Sequence, residues 1–164
     1  MRLAEKTEQS LHELIRALEV LQNKSESDRK LFAADLQCPL DDEYFSRFSE
    51  VMGGGHPAAG ASADEAATTL QRYYFSQCLK DETMAESVAA AYTIATGTPH
   101  PIVAHVTGAF HSDYGQGTAA RVRRRLPGKR VVVLSMRPVT DLDTLAPDAD
   151  DRRAGQYIVY TIGK

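Results

Sequence analysis

Residues 101–125, PIVAHVTGAFHSDYGQGTAARVRRR, carry the pattern from which we predict the fold of this chain. Their first part, residues 102–106, is a short β-branched apolar run of the kind that forms a buried strand. A glycine-bearing loop with His111 follows, and a basic segment ending at Arg125 then has the pattern of a helix. This order predicts that His111 lies just beyond the carboxyl end of a strand, where open α/β sheets hold their ligands.

Three strands are predicted, at residues 101–107, 130–136 and 156–162, with Pro138 ending the second. The helix between the first two strands makes them parallel neighbours through a right-handed crossover. The third strand follows a short irregular connection, which favours an antiparallel neighbour. We therefore expect an α/β fold with a small, mainly parallel sheet of about three strands packed by helices.

Capping residues and apolar spacing locate the helices that precede this sheet. They are an amphipathic helix over Leu3–Leu21, a shorter one through Leu36 capped by Ser25 or Ser27, a third over Glu43–Met52, and a long one over Asp64–Ala95. The long helix can also be two helices joined near Lys80, with Ser62 or Asp64 as the cap. Residues 53–62, rich in glycine and small side chains, predict a flexible loop.

The long helix carries polar residues where its apolar stripe should continue. Helical spacing puts Gln77 and either Lys80 or Asp81 on the stripe that includes Tyr74. A buried polar group without a partner costs about 1–3 kcal/mol, so these residues either line a cavity or meet a polar partner. The alternative is that the band is simply an exposed turn of the helix, and spacing alone leaves both interpretations open.

Composition limits the kinds of partner that we expect. The net charge of −3 gives no reason to expect a nucleic acid. The amino terminus has charges every few residues and no apolar core segment, so no signal peptide or transmembrane span is predicted. Cys38 and Cys78 lack a CxxC spacing and are expected to be free thiols.

Common catalytic motifs such as GxSxG, HExxH and the phosphate-binding loop do not occur in the sequence. A metal ion needs three or four converging ligands, for which His111, Asp81 and Glu86 are candidates. A haem iron needs only one or two axial ligands, typically His or Tyr, plus an apolar surface and cations for its propionates. Tyrosines and arginines of this chain meet that requirement more easily.

Four segments resemble ChaN-like proteins in the same order along the chain. They are CPLDDEYFSRFSEVMGGGH (38–56), YYFSQCLKDETMAE (73–86), GAFHSDYGQGT (108–118) and RVVVLSMRPV (130–139), and the second resembles the family's central helix. The similarity covers roughly residues 35–139. These proteins are the haem-binding uptake group of the Tiki superfamily, and the Gly108-Ala109-Phe110-His111 stretch corresponds to a GxxH element of that superfamily.

The resemblance implies an α/β domain that binds haem through a tyrosine, in a protein linked to iron uptake. It implies a homodimer or a partner that supplies missing strands, and an exported or membrane-anchored family. The implied site residues are Gly108, His111, Tyr73, Tyr74, Tyr114, Gln77, Lys80 and Asp81, with Arg121 or Arg124 at a propionate. A metal-dependent hydrolase-like domain, or an interaction domain without a site, are the alternatives.

The resemblance also suggests how the chain is divided. The family's opening strand carries a Gly-Glu-x-His motif, and residues 1–37 contain no counterpart of it. We therefore expect a helical extension over residues 1–37, followed by a partial ChaN-like domain over residues 38–164. That domain should correspond to the carboxyl-terminal half of the family's fold.

Overall fold

The computed structural model describes residues 23, 25–53 and 62–163. The chain forms two compact units, Met1–Thr83 and Met84–Lys164. The predicted helix at 3–21 and most of the predicted loop at 53–62 lie outside the described residues. The division expected between residues 37 and 38 stays a prediction.

Three helices occur among the described residues of the first unit: α1 (Glu26–Arg29), α2 (Glu43–Gly53) and α3 (Ala63–Ala95), which continues into the second unit. The predicted cap Ser25 accepts a hydrogen bond from the backbone N–H of Asp28 at 3.1 Å. α1 nevertheless ends at Arg29 and not at the predicted Leu36. α3 is a single helix, so the alternative of two helices joined near Lys80 is wrong.

Side-chain caps begin the two longer helices. Asp42 accepts a hydrogen bond from the backbone N–H of Phe45 at 2.7 Å, which starts α2. Ser62 and Glu65 form a reciprocal capping box at the start of α3, with distances of 2.7 Å to the Glu65 carboxylate and 3.3 Å to Ser62 Oγ. The backbone N–H of Ser62, and after it the Ser62 hydroxyl at 2.9 Å, donate to the Glu65 carboxylate and lower the pKa of Glu65.

A disulfide joins Cys38 to Cys78, so the prediction of two free thiols is wrong. Cys78 lies on the buried face of α3, and the segment before Cys38 runs along that helix. The backbone N–H of Ala33 donates to Thr83 Oγ1 and that of Gln37 donates to the Glu82 carboxylate, each at 3.2 Å. Sequence spacing missed the bond because the chain between the two cysteines folds back on itself.

The second unit contains α4 (Gly117–Arg125), β1 (Leu134–Val139), α5 (Ala149–Ala154) and β2 (Tyr157–Ile162). Two short 3₁₀ turns, Ala109–His111 and Asp113–Gly115, precede α4. A turn over residues 126–129 follows α4, with Gly128 at φ +76° and a hydrogen bond of 3.1 Å from the Lys129 N–H to the Leu126 carbonyl. No described helix is both long and apolar enough to cross a membrane.

The described sheet has two strands, not about three. Residues 101–107 form no strand within the described chain, and Ile102 and Val106 are 90% and 95% exposed. A β-branched run predicts strand propensity, but a strand exists only when another one supplies its hydrogen bonds. The first predicted parallel pair, 101–107 with 130–136, is therefore absent from this sheet.

The two strands that form are parallel, in the register Leu134↔Tyr157 to Val139↔Ile162. The antiparallel prediction was wrong because the connection contains α5, and about a dozen residues suffice for a parallel crossover. Pro138 lies within β1 and does not end it. A proline is tolerated on an edge strand, where its missing N–H removes no required ladder bond.

The two faces of this sheet differ in exposure. Leu134, Met136, Tyr157 and Val159 share one face by the strand register and are exposed. The other face carries Ser135, Arg137 and Tyr160, which are buried or half-buried. Val139 and Ile158 share this second face and are half-buried, so the side of the sheet that contacts the rest of the second unit is mixed. Arg137 on this side meets Asp113 of the segment that carries His111.

Candidate functional site

The predicted site residues fall into two groups, one in each compact unit. Tyr73, Tyr74, Gln77, Lys80 and Asp81 lie on the part of α3 that belongs to the first unit. Gly108, His111, Tyr114 and Arg121 lie in the second unit. The two groups are described separately, and their joint role stays a prediction.

Consecutive tyrosines on α3 have opposite environments. Tyr74 is fully buried and packs against the rings of Phe45 and Phe48 from α2, with centroids 4.8 and 5.5 Å away. Tyr73 is 56% exposed. Adjacent helical residues point about 100° apart, so one enters the aromatic core while the other faces outward.

The polar band of α3 meets a polar partner, which was one of the two interpretations left open. Tyr44 from α2 donates a 2.6 Å hydrogen bond to the fully buried Asp81 carboxylate. The Gln77 side-chain amide in turn donates to the Tyr44 hydroxyl at 3.0 Å. The band is thus a hydrogen-bonded chain between two helices, and its residues need no solvent.

Sequence reasoning missed Tyr44, because its position on α2 fits an ordinary apolar stripe. The signal was present, since a buried tyrosine hydroxyl usually has a hydrogen-bond partner. A band of polar residues on a nearby helix is a suitable source of such a partner. Lys80, by contrast, is exposed on α3.

In the second unit, His111 belongs to the segment Gly108–Gly117, which we call the histidine loop. His111 is half-buried and ends the first 3₁₀ turn, where its backbone N–H donates to the Gly108 carbonyl at 2.9 Å. Gly108 itself is exposed and extended, and a Cβ there would meet the His111 ring at an ordinary 3.8 Å. A glycine is therefore not required by space at position 108.

Gly117 is required at the end of the loop. Its φ is +53°, and a Cβ at this position would lie 2.6 Å from the His111 carbonyl oxygen. Both the left-handed backbone and the close approach exclude a side chain. The backbone of His111 is therefore held directly against the start of α4.

The two other predicted residues of this unit make internal contacts. Tyr114 has a left-handed φ of +61° and donates a 2.6 Å hydrogen bond to Asp150 on α5. Arg121 is buried and donates to the Gly117 carbonyl at 3.1 Å. Arg124, on the same helix, is exposed.

An ionic network connects the histidine loop to the sheet, and sequence reasoning missed it. Asp113 is 1% exposed and lies 3.0 Å from the Arg137 guanidinium on β1. Arg137 also approaches Asp151 on α5 at 3.5 Å, and Asp151 accepts a 3.1 Å bond from Tyr160 on β2. Desolvation, and then this bond to Asp151, raise the pKa of Tyr160 above its ordinary 10.0.

A metal site requires several His, Cys, Asp or Glu side chains to converge. Across residues 23, 25–53 and 62–163, no group of three or more His, Cys, Asp and Glu side chains is arranged to hold a metal ion.

Comparison with protein families supplies the decisive observation. Residues 3–122 match the family described as haem-binding uptake, Tiki superfamily, ChaN. The chain belongs to the ChaN family. The match includes α3 and the histidine loop and ends within α4, so β1, α5 and β2 lie beyond it.

The resemblance noted from the four segments is thereby confirmed as family membership. Searches of curated proteins and of solved structures find no match to this ChaN-family chain.

Proposed function

We propose that this ChaN-family chain binds haem as its cargo and acts in haem or iron uptake. The observation that carries the proposal is the family match over residues 3–122. The residues of the chain suit this ligand, because haem needs one or two axial donors of the His or Tyr type and cations for its propionates. Among the predicted site residues, Tyr73 in the first unit and His111 in the second are accessible side chains of that type.

Tyr73 is the candidate donor of the first unit. It is the most exposed of the three predicted tyrosines, since Tyr74 is buried and the Tyr114 hydroxyl is bonded to Asp150. Lys80 lies two helical turns further along the same face of α3, about 10 Å away along the helix axis. A haem bound through Tyr73 can therefore place a propionate near an exposed ammonium group.

His111 is the candidate donor of the second unit. Its imidazole is half-buried on a loop whose backbone is held against α4 at Gly117. Arg124, exposed on α4, is the proposed propionate partner for this arrangement, because guanidinium groups bind carboxylates bidentately. Because the backbone of His111 is held at Gly117, this donor needs little reorganisation to bind a ligand.

Two further properties belong to the proposal. The Cys38–Cys78 disulfide is typical of proteins that fold in an oxidising compartment, which supports export of this chain. A homodimer, expected from the resemblance, is proposed for the haem-loaded protein, and light scattering of that form should give twice the mass of one chain.

The experiment is a haemin titration of the purified chain, followed by the Soret band and by electron paramagnetic resonance of the ferric complex. The variants are Tyr73→Phe and His111→Ala. Tyr74→Phe is the matched control, because it removes the same hydroxyl from the adjacent buried tyrosine. Loss of an axial donor should lower haem affinity by about tenfold or more and change the ligand signature. Lys80→Gln should weaken binding by no more than about fivefold, as for an exposed ion pair.

Each outcome has a distinct meaning. A wild-type chain that produces no Soret shift would refute haem binding. A changed signature in Tyr73→Phe alone identifies the phenol, and a changed signature in His111→Ala alone identifies the imidazole. Equal binding and identical spectra in both variants would remove both residues from the site.

A further inference from the structure

Arg137 on β1 forms an ion pair with Asp113 of the histidine loop. Asp113 lies two residues after His111 and is 1% exposed. A carboxylate this deeply buried needs a compensating charge, and Arg137 Nη2 supplies one at 3.0 Å. This ion pair links the histidine loop to β1, an element far along the chain.

Arg137 also approaches a second carboxylate. Its Nε lies 3.5 Å from Asp151 on α5, and Asp151 also accepts the Tyr160 hydroxyl at 3.1 Å. The guanidinium therefore has carboxylates on two sides, one from the histidine loop and one from α5. A planar group with fixed donors transmits position better than a flexible ammonium does.

Other contacts fix the loop on the side of α4. Arg123 donates to the Gly115 carbonyl at 2.7 Å, and Gly117 approaches the His111 carbonyl closely. The backbone N–H of Gln116 donates to the Asp113 carbonyl at 3.2 Å, so a shift of Asp113 also displaces the end of the second 3₁₀ turn. The ion pair between Asp113 and Arg137 ties this arrangement to the sheet.

We propose that Arg137 is a positioning residue that acts through Asp113 to set the orientation of His111 toward a bound haem. The proposal rests on the proposed function for its ligand, but its geometry is a property of the second unit alone. Residues that orient a ligating histidine commonly change metal affinity by about 10–100-fold when they are replaced.

The test uses Arg137→Gln and the conservative Arg137→Lys, with Arg130→Gln as a matched exposed control. Haem affinity and the ferric ligand signature are measured together with the urea unfolding midpoint. Arg137→Gln should weaken haem binding by about tenfold or more and alter the signature, Arg137→Lys should recover part of the loss, and Arg130→Gln should match wild type. A role in stability alone would move the midpoint and leave the signature of the folded protein unchanged.

A double-mutant cycle with His111→Ala decides whether Arg137 acts through the histidine. If it does, Arg137→Gln adds no further loss of affinity in the His111→Ala background. Additive losses in the cycle, or a His111→Ala variant that binds haem as wild type does, would overturn the inference while haem binding itself stands.

A wild-type chain that binds no haem would refute the proposed function. The claim that Arg137 orients His111 is then tested on the histidine loop without a ligand. Hydrogen exchange of the amides of residues 111–117 and the NMR shifts of the His111 ring provide that measurement. Arg137→Lys and Arg137→Gln should speed exchange and move the ring signals, relative to Arg130→Gln. Unchanged signals in both Arg137 variants would overturn the claim.

Discussion

Removal of the Cys38–Cys78 disulfide should destabilise the chain substantially. The bond closes a loop across a sequence separation of 40 residues. The loop-entropy relation, −2.1 − 1.5R ln n for n of 40, gives about 13 cal/mol/K, or about 4 kcal/mol at room temperature. Cys38→Ser is the preferred substitution, because Cys78 is fully buried and a hydroxyl there would add a separate cost.

Urea unfolding followed by circular dichroism measures this loss. With a slope of about 2 kcal/mol per molar urea, a loss of 4 kcal/mol lowers the midpoint by roughly 2 M. The native fold should persist at low urea, because the backbone of Ala33 and Gln37 still bonds to Thr83 and Glu82 on α3.

Reductant provides the internal control for this experiment. It should destabilise the wild-type chain by the same amount and leave Cys38→Ser unchanged. A loss below about 1 kcal/mol in the variant, or a wild-type midpoint that does not respond to reductant, would refute the reasoning.

Three other substitutions test local features by the same unfolding assay. Tyr44→Phe removes the 2.6 Å bond to the buried Asp81 carboxylate and should cost about 1–3 kcal/mol; a neutral result would contradict the role of that bond. Gly117→Ala forces a Cβ to within 2.6 Å of the His111 carbonyl at positive φ and should cost more than about 2 kcal/mol; wild-type stability would disprove the close approach. The lowered pKa of Glu65 means that its stabilisation of α3 is present above its ordinary 4.5 and lost as pH falls through the folded-state value. Glu65→Gln should lack this acid-dependent loss, and equal pH profiles would argue against the capping box.

Local signals in the sequence determined the beginnings of the helices. Asp42 and Ser62 are caps that bond to backbone N–H groups within three residues, so neighbouring residues alone decide their role. The end of α3 at Ala95 is set in the same way, by the threonine, glycine and proline residues that follow it. The family was also evident from contiguous segments, as the match over residues 3–122 confirms.

Local sequence signals did not predict contacts between residues that are distant in the sequence. Residues 102–106 have the composition of a strand but no described strand to pair with, since pairing depends on where other segments lie. The parallel direction of β2 likewise follows from the path of the α5 connection and not from the residues of the strand.

The same distinction applies to the candidate site. Residue type and helical spacing predicted His111, the tyrosine pair and the polar band on α3 as candidates, and their role in binding stays a prediction. Only the tertiary structure decided that Tyr73 is outward and Tyr74 inward, that the polar band bonds to Tyr44, and that Asp113 pairs with Arg137. Each of these depends on which distant element supplies the neighbouring atoms, and the burial and charge pairing that result are properties of the folded chain.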